Sequence, residues 1–515
     1  MEHLFEKLAC NGESNIYPCH MPGHKRNAWG ELPTQLCRLD ITEIEGFDNL
    51  HQPEGILLEL QKKAAELYGA AESFYLINGS TGGILSAVSA ALPAGGHILM
   101  ARNCHKSAYH AAYLRNLKVS YLYPDVLEEY NIPEAVTPEQ VSRGLEKAPG
   151  AEAVLVVSPT YEGRIADIAG ISEIVHQRGI PLIVDEAHGA HLGLSREVHE
   201  NSCRQGADLV IQSVHKTLPA LTQTALLHVN GELTDRELLK RFLHIYQSSS
   251  PSYLLMASID NALYYIEKEG ERAFREFRTQ YERMLERLSR CRVLKFLPAD
   301  RERQDLGKLL ISVKDAEITG RQLYDVLLDR YRIQTEMAAE DFVLAMFTVN
   351  DKSEGYERMT AALLEIDGSL NGRENRKSLE RYGSSEKQED QESRKSLEGD
   401  KSPEKQEGQE SRKSLGGRIC PEVPGTGGCS LTAAWDGSKE EILLEECAGR
   451  LAGEFVNLYP PGVPLLVPGE EITEELCRRI RNRLRQGLTV QGIRQQEGKY
   501  LLRVLKPEMK NKTTQ

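Results

Sequence analysis

The sequence lacks several of the signals that assign a protein to a class directly. Its ten cysteines are scattered from Cys10 to Cys477, and no two of them form a CxxC pair. This spacing argues against a zinc ribbon or a secreted disulfide scaffold and favours a reducing, cytoplasmic location. The first residues, MEHLFEKLACNGE, contain no apolar core of a signal peptide, so we expect no secretory signal.

Basic residues are outnumbered by acidic ones. Lysine and arginine together number 63 against 76 aspartates and glutamates, which gives a net charge of −13. A chain of this sign is poorly suited to binding a phosphate backbone, so we expect no nucleic-acid partner. One long stretch without charged residues, 73–101, is interrupted by the turn-like sequences Asn78-Gly-Ser-Thr-Gly-Gly83 and Pro93-Ala-Gly-Gly96. It therefore predicts no membrane span.

What is present is an alternation of helical and strand patterns. Residues 56–67 and 171–179 have helical character, whereas 153–157, 181–184 and 208–211 are short apolar runs typical of buried strands. Strands separated by helices predict an α/β fold with a mostly parallel sheet covered on both faces. In such sheets ligands bind at the carboxyl ends of the strands. The polar residues that follow these runs are therefore the candidates for chemistry.

The chain of 515 residues is too long for one compact domain. We predict an N-terminal segment over residues 1–45 and a large domain over 46–290. A charged amphipathic helix over 272–288 leads to a smaller C-terminal α/β domain. That domain is assembled from 291–366 and 419–515, with strands or helices at 308–313, 321–330 and 342–349.

Residues 367–418 interrupt the smaller domain. They consist largely of Glu, Lys, Arg, Ser, Gln and Gly, and RKSL recurs at 376–379, 394–397 and 412–415. A short-period solenoid is the alternative, but roughly one leucine per repeat cannot offset the entropy lost on ordering. We therefore predict a disordered repeat insertion in a surface loop.

Asp185-Glu-Ala-His188 follows a predicted strand and, taken alone, matches the box that holds magnesium in helicases. That function needs a phosphate-binding loop of the form GxxxxGK[ST]. The two Gly-Lys pairs, at 307–308 and 498–499, are followed by Leu and Tyr. The helicase interpretation is therefore disfavoured.

A phosphate site is indicated elsewhere. Asn78-Gly-Ser-Thr-Gly-Gly83 leads into a helical stretch, so its glycines, including Gly82, let backbone amides approach an anion. Ser80 and Thr81 add hydroxyl donors, and the helix N-terminus adds a favourable dipole. An ordinary Gly/Ser turn is the alternative for this segment taken alone.

Three further residues follow predicted strands. His105 can stack on an aromatic heterocycle, or it can simply cap a helix. Asp185 can keep a pyridine nitrogen protonated, or it can serve as a helix N-cap. Lys216 lies in Ser213-Val-His-Lys-Thr217, where burial would lower its pKa and let the amine form a Schiff base. An exposed loop lysine is the alternative.

Together these elements match what a protein must supply to pyridoxal 5′-phosphate (PLP). The order is a phosphate cup, a stacking ring, a strand-end carboxylate and a strand-end lysine. His188 can reach the ring oxygen or the substrate, and Ser213 and His215 can reach the same phosphate. The sequence thus predicts a PLP enzyme and contains no group that we expect to hold a metal.

At this point the chain resembles the ornithine, lysine and arginine decarboxylases among the fold-type I PLP enzymes. The resemblance covers roughly residues 15 to 475 apart from the insertion. The segments that carry it are His20-Met-Pro-Gly-His-Lys25, Asp40-Ile-Thr-Glu43, Asn78-Gly-Ser-Thr81, Asn103-Cys-His-Lys-Ser107, Ser158-Pro-Thr-Tyr-Glu-Gly163, Asp185-Glu-Ala-His-Gly-Ala-His191, Gln212-Ser-Val-His-Lys-Thr217, Ser250-Pro-Ser-Tyr253 and Pro460-Pro-Gly-Val-Pro464.

The resemblance implies an aspartate-aminotransferase-like fold and decarboxylation of a basic L-amino acid. The short form, without the N-terminal wing domain of the large inducible enzymes, favours arginine over lysine or ornithine. The resemblance also implies that residues 1–45 contribute to the active site. An aminotransferase or carbon–carbon lyase is the second enzyme hypothesis. A catalytically silent binding protein is the third.

The resemblance also implies residue roles. Lys216 would form the Schiff base, Asp185 would pair with the pyridine nitrogen, and His105 would stack on the ring. His188 would lie near the reacting carbon. The phosphate would be held by Ser80, Thr81, Gly82, Ser213 and His215.

The family's active sites form between subunits, so Ser249 is expected to reach the phosphate of a partner subunit in a homodimer or higher oligomer. In Gln247-Ser-Ser-Ser250, serines stand where relatives often carry threonines. The candidates for contacting the substrate are His24, Glu43 and Glu470.

Overall fold

The computed structural model describes residues 3–14, 16–27, 30–300, 303–371, 430–458 and 462–507. The RKSL repeats, and with them the predicted disordered insertion from residue 372 onwards, lie outside these ranges. Two helices, α1 (Leu4–Glu13) and α2 (Thr34–Leu39), form the N-terminal segment. The α1 helix is fastened to the body at its start, where the Leu4 N–H donates to Asp260 Oδ2 over 2.9 Å.

A seven-stranded sheet forms the centre of the large domain. Its strands, in spatial order, are β1 (Glu72–Leu76), β9 (Ala225–Val229), β8 (Leu209–Gln212), β7 (Leu182–Asp185), β6 (Ala153–Val157), β2 (His97–Ala101) and β3 (Lys118–Leu122). The five strands from β8 to β3 run parallel, and β9 is antiparallel to both of its neighbours. The three predicted strands are confirmed to within one residue, and the predicted fold class is confirmed with them.

Helices cover both faces of this sheet, because the five strands between the two edges, β9, β8, β7, β6 and β2, are largely apolar and buried on each side. They are α3 (Ile56–Tyr68), α4 (Gly79–Ala91), α5 (Lys106–Leu114), α6 (Pro138–Lys147), α7 (Ile168–His176), α8 (Val214–Thr217) and α9 (Arg236–Tyr246). The helix α6 shows how sequence sets a start: the side chains of Thr137 and Gln140 form a reciprocal capping box. A small hairpin, β4 (Val126–Leu127) with β5 (Ile132–Pro133), lies outside the main sheet.

The helix predicted over 272–288 is longer than expected. It is α10 (Tyr253–Leu288), with 36 residues and a Ser252 cap that accepts from the Leu255 N–H. At 1.5 Å per residue it spans about 54 Å. Its apolar face packs in one hydrophobic cluster with the N-terminal helices and the next sheet.

That next sheet has four antiparallel strands in the order β10 (Lys295–Phe296), β11 (Lys308–Ser312), β13 (Phe342–Met346) and β12 (Met337–Ala338). The helices α11 (Gly320–Asp329) and α12 (Ser353–Asn371) accompany it. The helix α12 continues past residue 366, where the disordered insertion was predicted to begin. Asp367 is buried and accepts from the backbone N–H groups of residues 292–294. The predicted boundary was therefore wrong over residues 367–371.

The C-terminal part forms two further three-stranded sheets. One contains β14 (Lys439–Leu443), β19 (Lys499–Leu505) and β18 (Ile493–Gln496), and the other β16 (Val463–Leu466), β15 (Val456–Leu458) and β17 (Val490–Gln491). The helices α13 (Leu431–Asp436) and α14 (Glu474–Arg485) and a 3₁₀ turn, Leu444–Glu446, complete it. The stretches 291–366 and 419–515, which the sequence analysis joins in one small domain, contribute separate sheets with separate hydrophobic clusters, and their assignment to one domain stays a prediction.

Among the described helices, none combines the length and the apolar composition that a bilayer crossing requires.

Candidate active site

The candidate site lies at the carboxyl ends of β7 and β8. Asp185 is the last residue of β7 and is buried, and its Oδ1 accepts from the Ala187 N–H over 3.2 Å. Ser213 directly follows β8, and the short helix α8 then carries Lys216. Burial raises the pKa of Asp185 and the nearby Lys216 charge opposes that shift. The parallel pairing of β7 with β8 thus brings the predicted carboxylate and lysine into one electrostatic environment.

Lys216 is in contact with His188. Its Nζ lies 3.1 Å from His188 Nε2. Burial lowers the pKa of Lys216, and the Asp185 and Glu336 carboxylates partly restore it. The structure therefore brings together Lys216, Asp185 and His188, as the sequence predicted for a site built on strand ends.

A second lysine, which the sequence analysis missed, lies beside Lys216, Asp185 and His188. Lys308 begins β11 in the four-stranded sheet, and its Nζ lies 2.6 Å from His188 Nδ1. The ring of Tyr161 meets His188 edge-on, with the two ring centroids 4.8 Å apart. Burial, together with the charges of Lys216 and Lys308, holds the pKa of His188 well below its usual value. This imidazole is therefore neutral at physiological pH.

His105 has one of the two roles that its sequence position left open, and stacking on a cofactor ring stays a prediction. It caps α5, where its Nδ1 accepts from the Ser107 N–H over 3.2 Å. Burial, followed by the charge of Lys216, lowers the pKa of His105 to about 4, so the ring is uncharged near neutral pH. The loop at Gly462 approaches closely: a Cβ there would lie 3.2 Å from two atoms of this ring, and φ is +84°. Any other residue there would be strained in its backbone and would press on the ring, so this position favours glycine.

The predicted phosphate cup opens α4. Gly79 has φ +69°, and Ser80 and Thr81 occupy the first turn of the helix with solvent access, while Gly82 is buried. Ser213 Oγ is buried and has no hydrogen-bond partner within the described structure. An unpaired buried hydroxyl is costly, so this oxygen fits a ligand that accepts or donates there.

The other two predicted phosphate ligands, His215 and Ser249, are not buried and unpaired as Ser213 is. His215 Nδ1 donates to the Thr224 carbonyl over 2.9 Å, which leaves Nε2 as its second nitrogen. Ser249 follows α9 and is exposed. An exposed position suits a hydroxyl that reaches another subunit.

Within the described structure, no hydrogen bond or ion pair joins the three predicted substrate residues to Lys216, Asp185 or His188. His24 Nε2 lies 3.2 Å from Asp40 Oδ2, which links two of the resembling segments near the N-terminus. Burial raises the pKa of the Tyr253 phenol, and the nearby Glu43 charge adds to that shift. Glu470 is buried in an ion pair with Arg102. The roles of all three residues toward the substrate stay predictions. For Glu470, the ion pair with Arg102 disfavours a role in contacting the substrate.

These groups fit a PLP molecule. A buried carboxylate, a lysine whose pKa burial lowers, an uncharged flat ring and an unpaired buried hydroxyl beside a glycine-rich helix start match the chemistry of its ring nitrogen, aldehyde, ring face and phosphate. Within the described residues, no three His, Cys, Asp or Glu side chains cluster in a way that could hold a metal ion.

The mostly parallel seven-stranded sheet with its helices has the architecture of the fold-type I PLP enzymes. Over residues 4–353 the chain matches the family model described as "Orn/Lys/Arg decarboxylase, major domain". Over residues 429–483 it matches "Orn/Lys/Arg decarboxylase, C-terminal domain". The chain belongs to the Orn/Lys/Arg decarboxylase family and is an amino acid decarboxylase that acts on a basic amino acid.

Individual relatives agree with this assignment. The arginine decarboxylase of Bacillus subtilis (strain 168) is 30% identical over 501 residues, covering 95% of this chain and 94% of that protein. The arginine decarboxylase of Bacillus anthracis is 29% identical with the same coverage. Among solved structures, the lysine decarboxylase of Francisella novicida superposes with a TM-score of 0.80 at 17% identity, covering 98% of this chain and 81% of that one. At this identity the superposition shows the fold.

Proposed function

We propose that the protein is a PLP-dependent arginine decarboxylase that releases carbon dioxide and agmatine. The main support for placing the decarboxylase site here is the contact of Lys216 with His188 at the strand ends, beside the buried Asp185. The preference for arginine is supported by the printed names of the Bacillus relatives, which match nearly the whole chain.

When bound, PLP would supply an aldehyde that links to amines and a ring that accepts the electrons left when the carboxylate departs. Lys216 would hold the cofactor through its amine, which must be uncharged to react. Asp185 would keep the ring nitrogen protonated, and burial makes that charge contact stronger than in water. His105 would cover the ring face.

The phosphate would be held by Ser80, Thr81, the amide of Gly82, Ser213 and His215. We further propose at least a homodimer in which the exposed Ser249 reaches the phosphate in the neighbouring subunit. His188, with its neutral ring beside Lys216, would be the proton carrier nearest the reacting carbon. The protein thereby contributes orientation, charge and a proton at defined atoms.

A substrate panel tests the arginine assignment. The purified protein, loaded with PLP, is incubated separately with L-arginine, L-lysine and L-ornithine, and agmatine, cadaverine, putrescine and carbon dioxide are quantified. We expect kcat/KM for arginine to exceed the other two at least about tenfold, a difference of about 1.4 kcal/mol in transition-state binding. A preference for lysine or ornithine would overturn the arginine proposal, and keto acid without carbon dioxide would indicate an aminotransferase.

A further inference from the structure

Lys308 is an unusual residue to find beside the site. Its side chain is 1% exposed although it comes from the four-stranded sheet, whereas Asp185 ends a strand of the seven-stranded sheet and Lys216 lies on α8. Apart from His188, its Nζ contacts Met346 Sδ at 3.4 Å, and it lies 5.8 Å from the centroid of the Tyr161 ring. Burying an ammonium group without a directly paired carboxylate is costly. Burial accordingly lowers the pKa of Lys308 to about 8.

The contacts place one imidazole between two amines. Lys308 Nζ is 2.6 Å from Nδ1 of His188, and Lys216 Nζ is 3.1 Å from Nε2. A neutral imidazole has one N–H donor and one lone pair, and an ammonium group can only donate. The two lysines therefore cannot both donate to the ring as ammonium ions at the same time. One of them must be an uncharged amine that accepts from the ring N–H.

When one of the two lysines is an ammonium ion, two proton arrangements satisfy this geometry. In the first, Lys308 is the ammonium and donates to Nδ1, the ring proton is on Nε2, and Lys216 is an uncharged amine. In the second, Lys216 is the ammonium and donates to Nε2, the ring proton is on Nδ1, and Lys308 is uncharged. The two arrangements contain the same number of protons and differ by a shift along the chain of three groups.

We propose that Lys308 is a positioning residue that holds a proton for Lys216 and exchanges it through the ring of His188. In this transfer an N–H bond of Lys308 breaks and Nδ1–H forms, while Nε2–H breaks and an N–H bond of Lys216 forms. The reverse transfer returns Lys216 to the uncharged amine. The inference rests on the proposed role of Lys216, for which the uncharged amine is the reactive form.

Other titratable groups face Lys216, His188 and Lys308. Those that shift their pKa values, apart from the three themselves, are Asp185, Glu336, Asp305, Glu162, His105 and His215. The carboxylates favour the ammonium form of the lysines, whereas burial opposes it. This balance allows either lysine to be the uncharged one.

The reactivity of Lys216 in the full-length protein freed of cofactor tests the relay. Acetic anhydride acetylates only uncharged amines, so the acetylation rate of Lys216 against pH, read by mass spectrometry, gives its pKa without any substrate. Lys308→Met removes the donor to Nδ1 and a neighbouring positive charge. Nε2 can then accept from a charged Lys216. We expect the pKa of Lys216 to rise by about one unit, so that acetylation near pH 7 slows about tenfold.

Lys308→Arg separates the relay from a merely structural role. A guanidinium still donates to Nδ1 but does not give up its proton. We expect acetylation of Lys216 near the wild-type rate, together with turnover of the loaded enzyme reduced at least tenfold. Lys295→Met, an exposed lysine on the adjoining strand β10, is the matched control and should change neither quantity.

Three outcomes would overturn the relay. The first is wild-type acetylation of Lys216 in Lys308→Met. The second is an effect of Lys308→Met on the acetylation of Lys216 that is as large in a His188→Ala background as in the wild type. If Lys308 acts through His188, removing His188 must remove that effect. The third is wild-type turnover with an unchanged pH profile in Lys308→Arg, which decides the question if the methionine variant does not fold. Failure of the wild-type enzyme to decarboxylate any basic amino acid would refute the proposed function instead, since the acetylation comparison does not involve turnover.

Discussion

Arg102 and Glu470, which are 368 positions apart, form a buried bidentate ion pair. Arg102 Nε lies 3.0 Å from Oε1 and Nη2 lies 2.9 Å from Oε2. Arg102 also donates to the Pro464 carbonyl, and Glu470 accepts from the Val467 N–H. Arg102 directly follows strand β2, so the pair fastens the C-terminal sheets to the large domain.

Glu470→Ala should therefore destabilise the protein. Removing one partner leaves a buried guanidinium without its carboxylate, which costs about 3–5 kcal/mol of unfolding free energy. Urea unfolding followed by circular dichroism measures the loss. The double variant Arg102→Met, Glu470→Leu should recover much of it, because no unpaired charge remains. Unchanged stability with a raised KM would instead restore Glu470 as a substrate ligand.

Lys216→Ala tests the covalent attachment of the cofactor. Without this amine the visible absorbance band of the bound cofactor should disappear, and turnover should fall by several orders of magnitude. Lys118→Ala, an exposed lysine on β3, serves as the control and should resemble the wild type. Near wild-type turnover in the Lys216 variant would refute its assigned role.

Asp185→Asn isolates the effect of one charge. The side chain keeps its size, so the variant should still bind PLP, but a neutral amide cannot hold the ring nitrogen protonated. We expect kcat to fall at least about a hundredfold, in line with other losses of preorganised electrostatic contacts. Steady-state kinetics beside a PLP titration separates the two effects. Unchanged kcat would count against the electron-sink role of the pairing.

The sequence predicted that Asp185 and Lys216 lie close together, because apolar runs show where strands end. Apolar runs located β6, β7 and β8, and the polar residues that follow the runs at 181–184 and 208–211 included Asp185 and Lys216. Lys308 was missed because a lysine at the start of a strand is usually solvated, and nothing local shows that this one faces His188. The Arg102–Glu470 pair was missed for a related reason: contacts across several hundred residues leave no local periodicity.

Shared active sites can be tested by complementation. Lys216→Ala and Ser249→Asp chains should each be inactive alone, the second because a carboxylate would repel the phosphate. In a mixed dimer one site carries both substitutions and the other carries none. Random pairing of equal amounts should therefore restore about a quarter of wild-type activity. No recovery, with mixed dimers verified by native mass spectrometry, would show that Ser249 serves its own subunit.

His228 should govern part of the acid sensitivity. It is buried between Ser73 Oγ at 2.6 Å and Gln212 Oε1 at 3.0 Å, and burial lowers its pKa to about 3. The unfolded chain takes up a proton near pH 6.5 and the folded one does not, so stability is lost as the pH falls from about 6.5 to about 3.

His228→Gln removes that proton. The slope of unfolding free energy against pH in this window should become shallower by up to about 1.4 kcal/mol per pH unit. Urea unfolding at a series of pH values provides the slope, whatever the variant does to absolute stability. His244→Gln on the surface helix α9 is the control, and an identical slope in both variants would contradict the prediction.

The long separation of Arg102 and Glu470 has a consequence for biosynthesis. Chains are made at about 5–20 residues per second, so Glu470 is made about 20–70 s after Arg102. During that interval the guanidinium lacks the carboxylate that neutralises it in the finished protein. The end of β2 therefore cannot reach its final state until translation is nearly complete. A ribosome stalled short of residue 470 would hold a nascent large domain that chaperones and proteases can still recognise as unfinished.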